Sequence, residues 1–125
     1  MKEETKLSVS KLKDAFTRLR EGTLAVTDDL DRDGVIQRFE FTFELLWKSL
    51  KIFLEEEGIE CRSPKECLRS ALRVGLIEDE EVFLDMLEDR NRSTHTYDEK
   101  ETERIFHRIK DKYIVTIENL INRIK

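Results

Sequence analysis

Ile36-Gln37-Arg38-Phe39-Glu40-Phe41-Thr42-Phe43-Glu44-Leu45-Leu46-Trp47-Lys48-Ser49-Leu50-Lys51-Ile52-Phe53 is the stretch that decides the fold. Ile36, Phe39, Phe43, Leu46, Leu50 and Phe53 recur at alternating steps of three and four, which places them on one face of an α-helix. Phe41, Leu45, Trp47 and Ile52 widen the apolar arc, so this helix is expected at the centre of the molecule. Its expected start is near Gly34, with Asp31 or Asp33 as cap, and Gly58 closes it because glycine adopts the left-handed conformation that helix ends favour. Trp47 reads as core before it reads as a platform for a nucleic-acid base.

Working outward, Val9, Leu12, Phe16 and Leu19 give a helix from about Leu7 to Glu21. Residues 22–34 hold two glycines and the acidic run Asp28-Asp29-Leu30-Asp31, and read as a connection or a frayed extra turn. On the other side, Ser63-Pro64-Lys65-Glu66 supplies a capping serine, a proline at the first helical position and a glutamate at the third. A short helix follows to about Val74, ahead of Gly75. Glu78 to Glu81 suit the positive end of a further helix with Val82, Phe83, Met86 and Leu87 on its buried face and Arg90 in its last turn. Asp98 with Glu101 makes a second capping pattern, after which Phe106, Ile109, Tyr113, Ile117, Leu120 and Ile124 carry one helix to the end of the chain. The expected fold is all-α: one domain over residues 1–125, an up-and-down four-helix bundle with an additional short helix across one end. Ile105, Ile114, Val115 and Ile121 lie off the last helix's main stripe, and part of this second face is expected to bury either against the short helix or against another protomer or partner.

Composition agrees with long solvated helices. Charged residues make up 41% of the chain, against four glycines and one proline. The net charge of −5 argues against indiscriminate coating of nucleic acid, which depends on many phosphate neutralisations. Cys61 and Cys67 are too few for a disulfide framework or a structural zinc site, and read as free thiols in a reducing cytoplasm. No apolar run approaches a membrane span or a signal core, so a soluble cytoplasmic protein with no membrane partner is expected.

Chemistry concentrates in Arg90-Asn91-Arg92-Ser93-Thr94-His95-Thr96-Tyr97. Arginine offers a fixed fork of donors suited to phosphate, and histidine exchanges protons near neutrality. Arg90 and His95 can therefore cleave a phosphodiester without metal, Arg90 holding the developing charge and His95 moving the proton of a ribose 2′-hydroxyl or of the leaving oxygen. Tyr97 offers a phenol able to accept a phosphoryl or nucleotidyl group. A bland alternative makes Arg90 a helix end, Asn91 and Ser93 a turn, and His95 a satisfier of a carbonyl. Glu40 and Glu44 sit one turn apart on the central helix, where Arg90 is a candidate counter-ion; alternatively both face water and Glu44 pairs with Lys48. His107, beside Arg104, Arg108 and Lys110, lies on a basic face able to guide RNA but more simply read as solvated surface. No Walker loop, dinucleotide fingerprint or HExxH motif is present, so nucleotide transfer is left to a partner, and no cofactor or metal is expected.

Arg90 to His95 resembles the arginine, four-residue spacer, histidine signature of HEPN domains, and its extension to Tyr97 and Asp98 resembles the nucleotidyltransferase substrate-binding, HepT-like branch. Residues 37–48 are similar to that family's long central helix. The resemblance implies a homodimeric bundle whose two signatures share a cleft, paired with a small nucleotidyltransferase encoded nearby. It implies either a substrate-binding subunit of that enzyme or a metal-independent ribonuclease toxin silenced when the partner attaches AMP to the signature tyrosine. Carried onto this chain, Arg90 and His95 are the catalytic pair and Tyr97 the nucleotidyl acceptor; Asn91, Glu40 and Glu44 are expected from their own positions to support the cleft, RNA is a candidate substrate and DNA is not expected. A purely structural helical dimer is the remaining reading.

Overall fold

Side-chain pairings between helices fix the direction of every long element. In the computed structural model, which describes residues 2–95 and 98–124, α1 spans Glu3–Leu24, α2 Asp29–Glu56, α3 Pro64–Arg73, α4 Glu80–Ser93, α5 Glu99–Arg108 and α6 Ile114–Arg123. A π-helical segment, Ile109–Tyr113, joins α5 to α6 without a break in helical backbone. Thr5 meets Glu56 near one end of α1 and α2, the Ser8 and Ser49 hydroxyls lie 2.6 Å apart, and Arg38 donates to the Arg18 carbonyl at 2.7 Å. That order makes α1 and α2 antiparallel. Glu40 with Ser93 and Glu44 with Arg90 make α4 antiparallel to α2, and Arg92 with Glu101 followed by Asp89 with Arg108 reverses direction again into α5. The result is the expected all-α, up-and-down bundle with α3 as the additional short helix packed on α2 and α4.

The centre holds Leu12 and Leu19 of α1, Phe39, Phe43, Leu46 and Leu50 of α2, Met86 of α4, and Ile105, Ile109 and Ile117 of the last rod, all removed from water. Burial of such side chains contributes about 1.5–3 kcal/mol each before conformational entropy is charged against it. Gly58 and Gly75 end α2 and α3 with φ of 77° and 84°, a conformation that costs glycine little. Ser63 accepts from the Glu66 amide, while the Glu66 carboxylate takes the Arg62 amide, so the cap closes one residue earlier than a strict capping box.

Several expectations are corrected. The acidic run opens α2 instead of connecting to it: Asp28 caps the helix by accepting from the Asp31 amide, in place of Asp31 or Asp33, and Asp29 and Asp31 sit in the first turn where the helix dipole favours them. Cys61 and Cys67 are joined in a disulfide; the turn into α3 brings their Cα atoms to 5.2 Å, within the span such a bond requires, inside a small cluster with Leu54. Ile105 and Ile121 are buried in the chain's own core, leaving Val115 as the exposed apolar residue of that group. Phe41 is not core but 60% exposed, because the helical arc wider than its neighbours can cover turns outward. Among the described residues no helix is long and apolar enough to cross a membrane.

One polar cluster sits inside this apolar frame. Asp89 is 2% exposed. Arg108 forks onto it, Nε to Oδ2 and Nη2 to Oδ1, both at 2.7 Å, and the Tyr113 hydroxyl donates to Oδ2. Tyr113 also stacks on Phe39 at 5.5 Å between ring centroids. Burial, reinforced by the Asp89 bond and charge, raises the Tyr113 pKa; the Asp89 bond pushes the Arg108 pKa up despite partial burial. Asp89→Asn removes the nearer, forked counter-charge of Arg108 and should destabilise by about 2–3 kcal/mol, below the usual loss for a buried pair because Arg108 keeps Glu101 at 3.4 Å and contact with water. Tyr113→Phe should lose about 1 kcal/mol. Urea midpoints that fall with unchanged slope would bear this out; unchanged midpoints would refute it.

The raised phenol gives a second prediction. Unfolded Tyr113 ionises near its ordinary value of 10.0, whereas the folded phenol stays neutral above it. Stability from this group is therefore complete below that pH and is lost as pH rises beyond it. Wild type should lose stability between about pH 9.5 and pH 11 more steeply than Tyr113→Phe, measured by urea unfolding across that range; parallel profiles would contradict the assignment.

Candidate functional site

The last turns of α4 present the signature against the first half of α2. Arg90 is half-buried and its Nη2 lies 2.6 Å from Glu44 Oε2. Glu44 is itself held twice from its own helix, accepting from Trp47 Nε1 at 3.1 Å and pairing with Lys48 at 3.2 Å. Burial pushes the Glu44 pKa up, but the Trp47 and Lys48 hydrogen bonds and the charges of Arg90 and Lys48 outweigh it, and the net shift is downward. Glu44 is thus a carboxylate kept ionised against Arg90, combining both pairings that the sequence left open. Trp47 is partly buried against both apolar clusters while its indole N–H orients Glu44.

One turn earlier, Glu40 accepts from Ser93 Oγ at 2.5 Å. Ser93 Oγ also lies 3.0 Å from the Arg90 carbonyl, but its single proton goes to the nearer carboxylate. Asn91 Oδ1 accepts from Arg90 Nη1 at 3.3 Å, and the His95 amide donates to the Arg92 carbonyl at 3.0 Å. His95 is exposed in the turn that follows α4. The structure therefore brings Glu40, Glu44, Arg90 and Asn91 together, with His95 directly after them in the chain. Tyr97 lies outside the described residues.

A cleft of about 580 Å³ opens between α2 and α5, with Gln37, Glu40, Ser93 and Thr102 in its lining. Arg32, 7% exposed, forms part of its wall and meets four carboxylates: Asp29 at 3.5 Å, Asp33 at 3.2 Å, Glu99 at 3.8 Å and Glu103 at 3.0 Å. One guanidinium against four carboxylates leaves this wall negative, so phosphate is not drawn in from that side. The basic face around His107 is largely paired: Arg108 is taken by Asp89, Arg104 by Glu101 at 2.7 Å, and His107 Nε2 lies 3.0 Å from Glu103, while Lys110 is exposed to solvent. Among the described residues no group of three or more His, Cys, Asp or Glu side chains is placed to hold a metal ion.

Sequence reading missed Arg32 and the Asp89, Arg108 and Tyr113 cluster as parts of the site's frame. A signal existed for Asp89, since Val82, Met86 and Asp89 step by four and three along the buried face of α4. A charge in an apolar register requires a partner. Arg32 precedes Ile36 by one turn and was hidden because its segment read as a connection.

The chain matches the family described as nucleotidyltransferase substrate binding protein like over residues 4–125. It is 31% identical over 123 residues to a Haemophilus influenzae protein named probable ribonuclease HepT, covering 85% of this chain and 84% of that one. It superposes on a Thermus thermophilus crystal structure with a TM-score of 0.84 at 39% identity, covering 91% of this chain and 98% of the other. A Haemophilus influenzae structure, described as having the fold of a substrate binding domain of a nucleotidyltransferase, gives a TM-score of 0.82 at 28% identity over 93% and 98% of the two chains. The family match over residues 4–125, with a HepT relative 31% identical over most of both chains, identifies this protein as a member of the nucleotidyltransferase substrate-binding, HepT-like family.

Proposed function

We propose that this chain is the partner subunit of a small nucleotidyltransferase encoded nearby, in a two-component, toxin–antitoxin-like system, and that it works as a cytoplasmic homodimer whose shared cleft carries Arg90, His95 and Tyr97. The observation that carries this reading is the ion pair of Arg90 with Glu44 at 2.6 Å. An arginine committed to a carboxylate does not grip phosphate until that contact is relaxed, so the site is latent and suited to control by a partner. Glu40, Glu44 and Asn91 hold the cleft in shape, and Tyr97 is the hydroxyl presented to the partner's nucleotide. DNA and membranes have no part in this reading.

A second reading is favoured by the name of the Haemophilus influenzae relative, probable ribonuclease HepT. Here the dimer is a metal-independent endoribonuclease. Arg90 stabilises charge on the phosphate oxygens while His95 moves the proton of the 2′-hydroxyl or of the leaving oxygen, and AMP on Tyr97 silences the cleft. The two readings coexist if the toxin is also its partner's substrate.

Purified protein incubated with RNA in EDTA separates them. Cleavage that His95→Ala lowers by about 100-fold or more, within the range of lost acid–base catalysis, supports the ribonuclease. Cleavage that survives His95→Ala refutes it. For the partner reading, the protein should co-purify with the neighbouring nucleotidyltransferase and, with ATP present, gain the mass of one adenylyl group (AMP less water) as the phenol oxygen displaces pyrophosphate, a gain abolished by Tyr97→Phe. No complex at micromolar concentration would sink that reading.

A further inference from the structure

We propose that the hollow between α1 and α2 around Phe41 is a subsite for one nucleotide of single-stranded RNA, the base stacking on the Phe41 ring and its phosphate held by Arg18 and Arg38. The inference rests on the ribonuclease reading and adds to it the face along which substrate reaches Arg90.

The hollow, about 550 Å³, is lined by Ala15, Arg18, Gly34, Gln37, Arg38 and Phe41. A single exposed apolar side chain needs no explanation. Three accompanying features do. First, the chain carries 28 acidic against 23 basic residues, and arginines 20, 32, 69, 90, 92, 104, 108 and 123 each lie within 4.0 Å of a carboxylate. Arg18, Arg38, Arg62 and Arg73 meet none among the described residues, and of these four Arg18 and Arg38 stand together beside an exposed aromatic ring, although exposed Asp14 lies one turn before Arg18. Arg38 spends Nη1 on the Arg18 carbonyl at 2.7 Å, which fixes its guanidinium at the rim with its other donors still available. Second, Phe41 has no aromatic or cation–π partner among the described residues, so a ring face is open to a base.

Third, Gly34 stands within α2, where glycine costs about 1 kcal/mol relative to alanine. A Cβ there would meet nothing within 4 Å, so packing within the chain does not require glycine. At Gly22, by contrast, a Cβ would fall 3.0 Å from Arg38 Nη1. The bare backbone at Gly34 keeps the floor of the hollow open.

Charge complementarity selects the occupant. The α2–α5 cleft is walled by the Arg32 carboxylates, whereas the α1–α2 side offers two cations not neutralised by carboxylates and an exposed aromatic, the combination that single-stranded nucleic acid binds. The two faces meet at Gln37, which lines both. Phe41 and Glu44 are three residues apart, about 4.5 Å along the helix axis, so the hollow adjoins the part of α2 that holds Arg90.

The test is fluorescence anisotropy with a fluorescein-labelled, mixed-sequence single-stranded RNA of about twelve nucleotides in EDTA, using His95→Ala protein to prevent cleavage. Adding Phe41→Ala should weaken binding about tenfold or more, and Phe41→Trp should restore it. Arg18→Gln should weaken binding and lower the salt dependence by about one phosphate. Affinities within twofold of the parent, or no RNA binding by the parent, would overturn the proposal. So would a change in oligomeric mass on Phe41→Ala, which would make the hollow a protein interface. Cleavage by His95-intact protein is measured in parallel. Phe41-dependent binding without cleavage sinks the ribonuclease reading and leaves the subsite, while cleavage indifferent to Phe41→Ala does the reverse.

Discussion

Asp89 is the constraint around which the functional half of the bundle is arranged. A carboxylate removed from water must be met by donors or be protonated, and here three arrive from one direction: two from the Arg108 fork and one from Tyr113. Both partners lie on the last rod, so the contact sets α4 in register with α5 and the π segment. The π segment belongs to the same solution. An added residue rotates the succeeding helix by about 100° relative to an uninterrupted α-helix, and in the observed register Tyr113 reaches Asp89 while stacking on Phe39. Because Arg90 is the next residue along α4, the anchoring of Asp89 also fixes where the signature arginine emerges.

What Arg90 meets on emerging is a carboxylate supported from its own helix. Trp47 and Lys48 hold Glu44 before Arg90 arrives, and Glu40 does the same for Ser93 one turn away. The α2 face toward α4 is therefore an acidic ledge inside an apolar frame. Such a ledge positions an arginine firmly and competes with phosphate for it. The four carboxylates around Arg32 extend the negative charge along the neighbouring cleft. The proposed control by a partner rests on this arrangement.

The end of the molecule near α3 plays a different part. Leu54, Cys61 and Cys67 form a small cluster with Trp47 packed against it, so the indole that orients Glu44 is wedged between this cluster and the main core. The loop closed by the disulfide thus supports the signature through Trp47, without contributing a group to it.

Local sequence was enough to establish the helical class, the long elements and the position of Arg90 at the end of α4. Periodicity and caps are local: Ser63, Gly58 and the three-four stripe of α2 act within a turn or two of where they stand. Helical spacing likewise makes Glu40 and Glu44 neighbours on one face. Packing between separate segments was needed to settle that Glu44 pairs with Arg90 and Lys48 together, that Asp89 captures Arg108 and Tyr113, that Arg32 is buried among acids, and that Cys61 meets Cys67. Each of these is a pairing whose partners depend on the relative rotation or approach of those segments. A slip of one residue would exchange every partner without altering the pattern from which the helices were read.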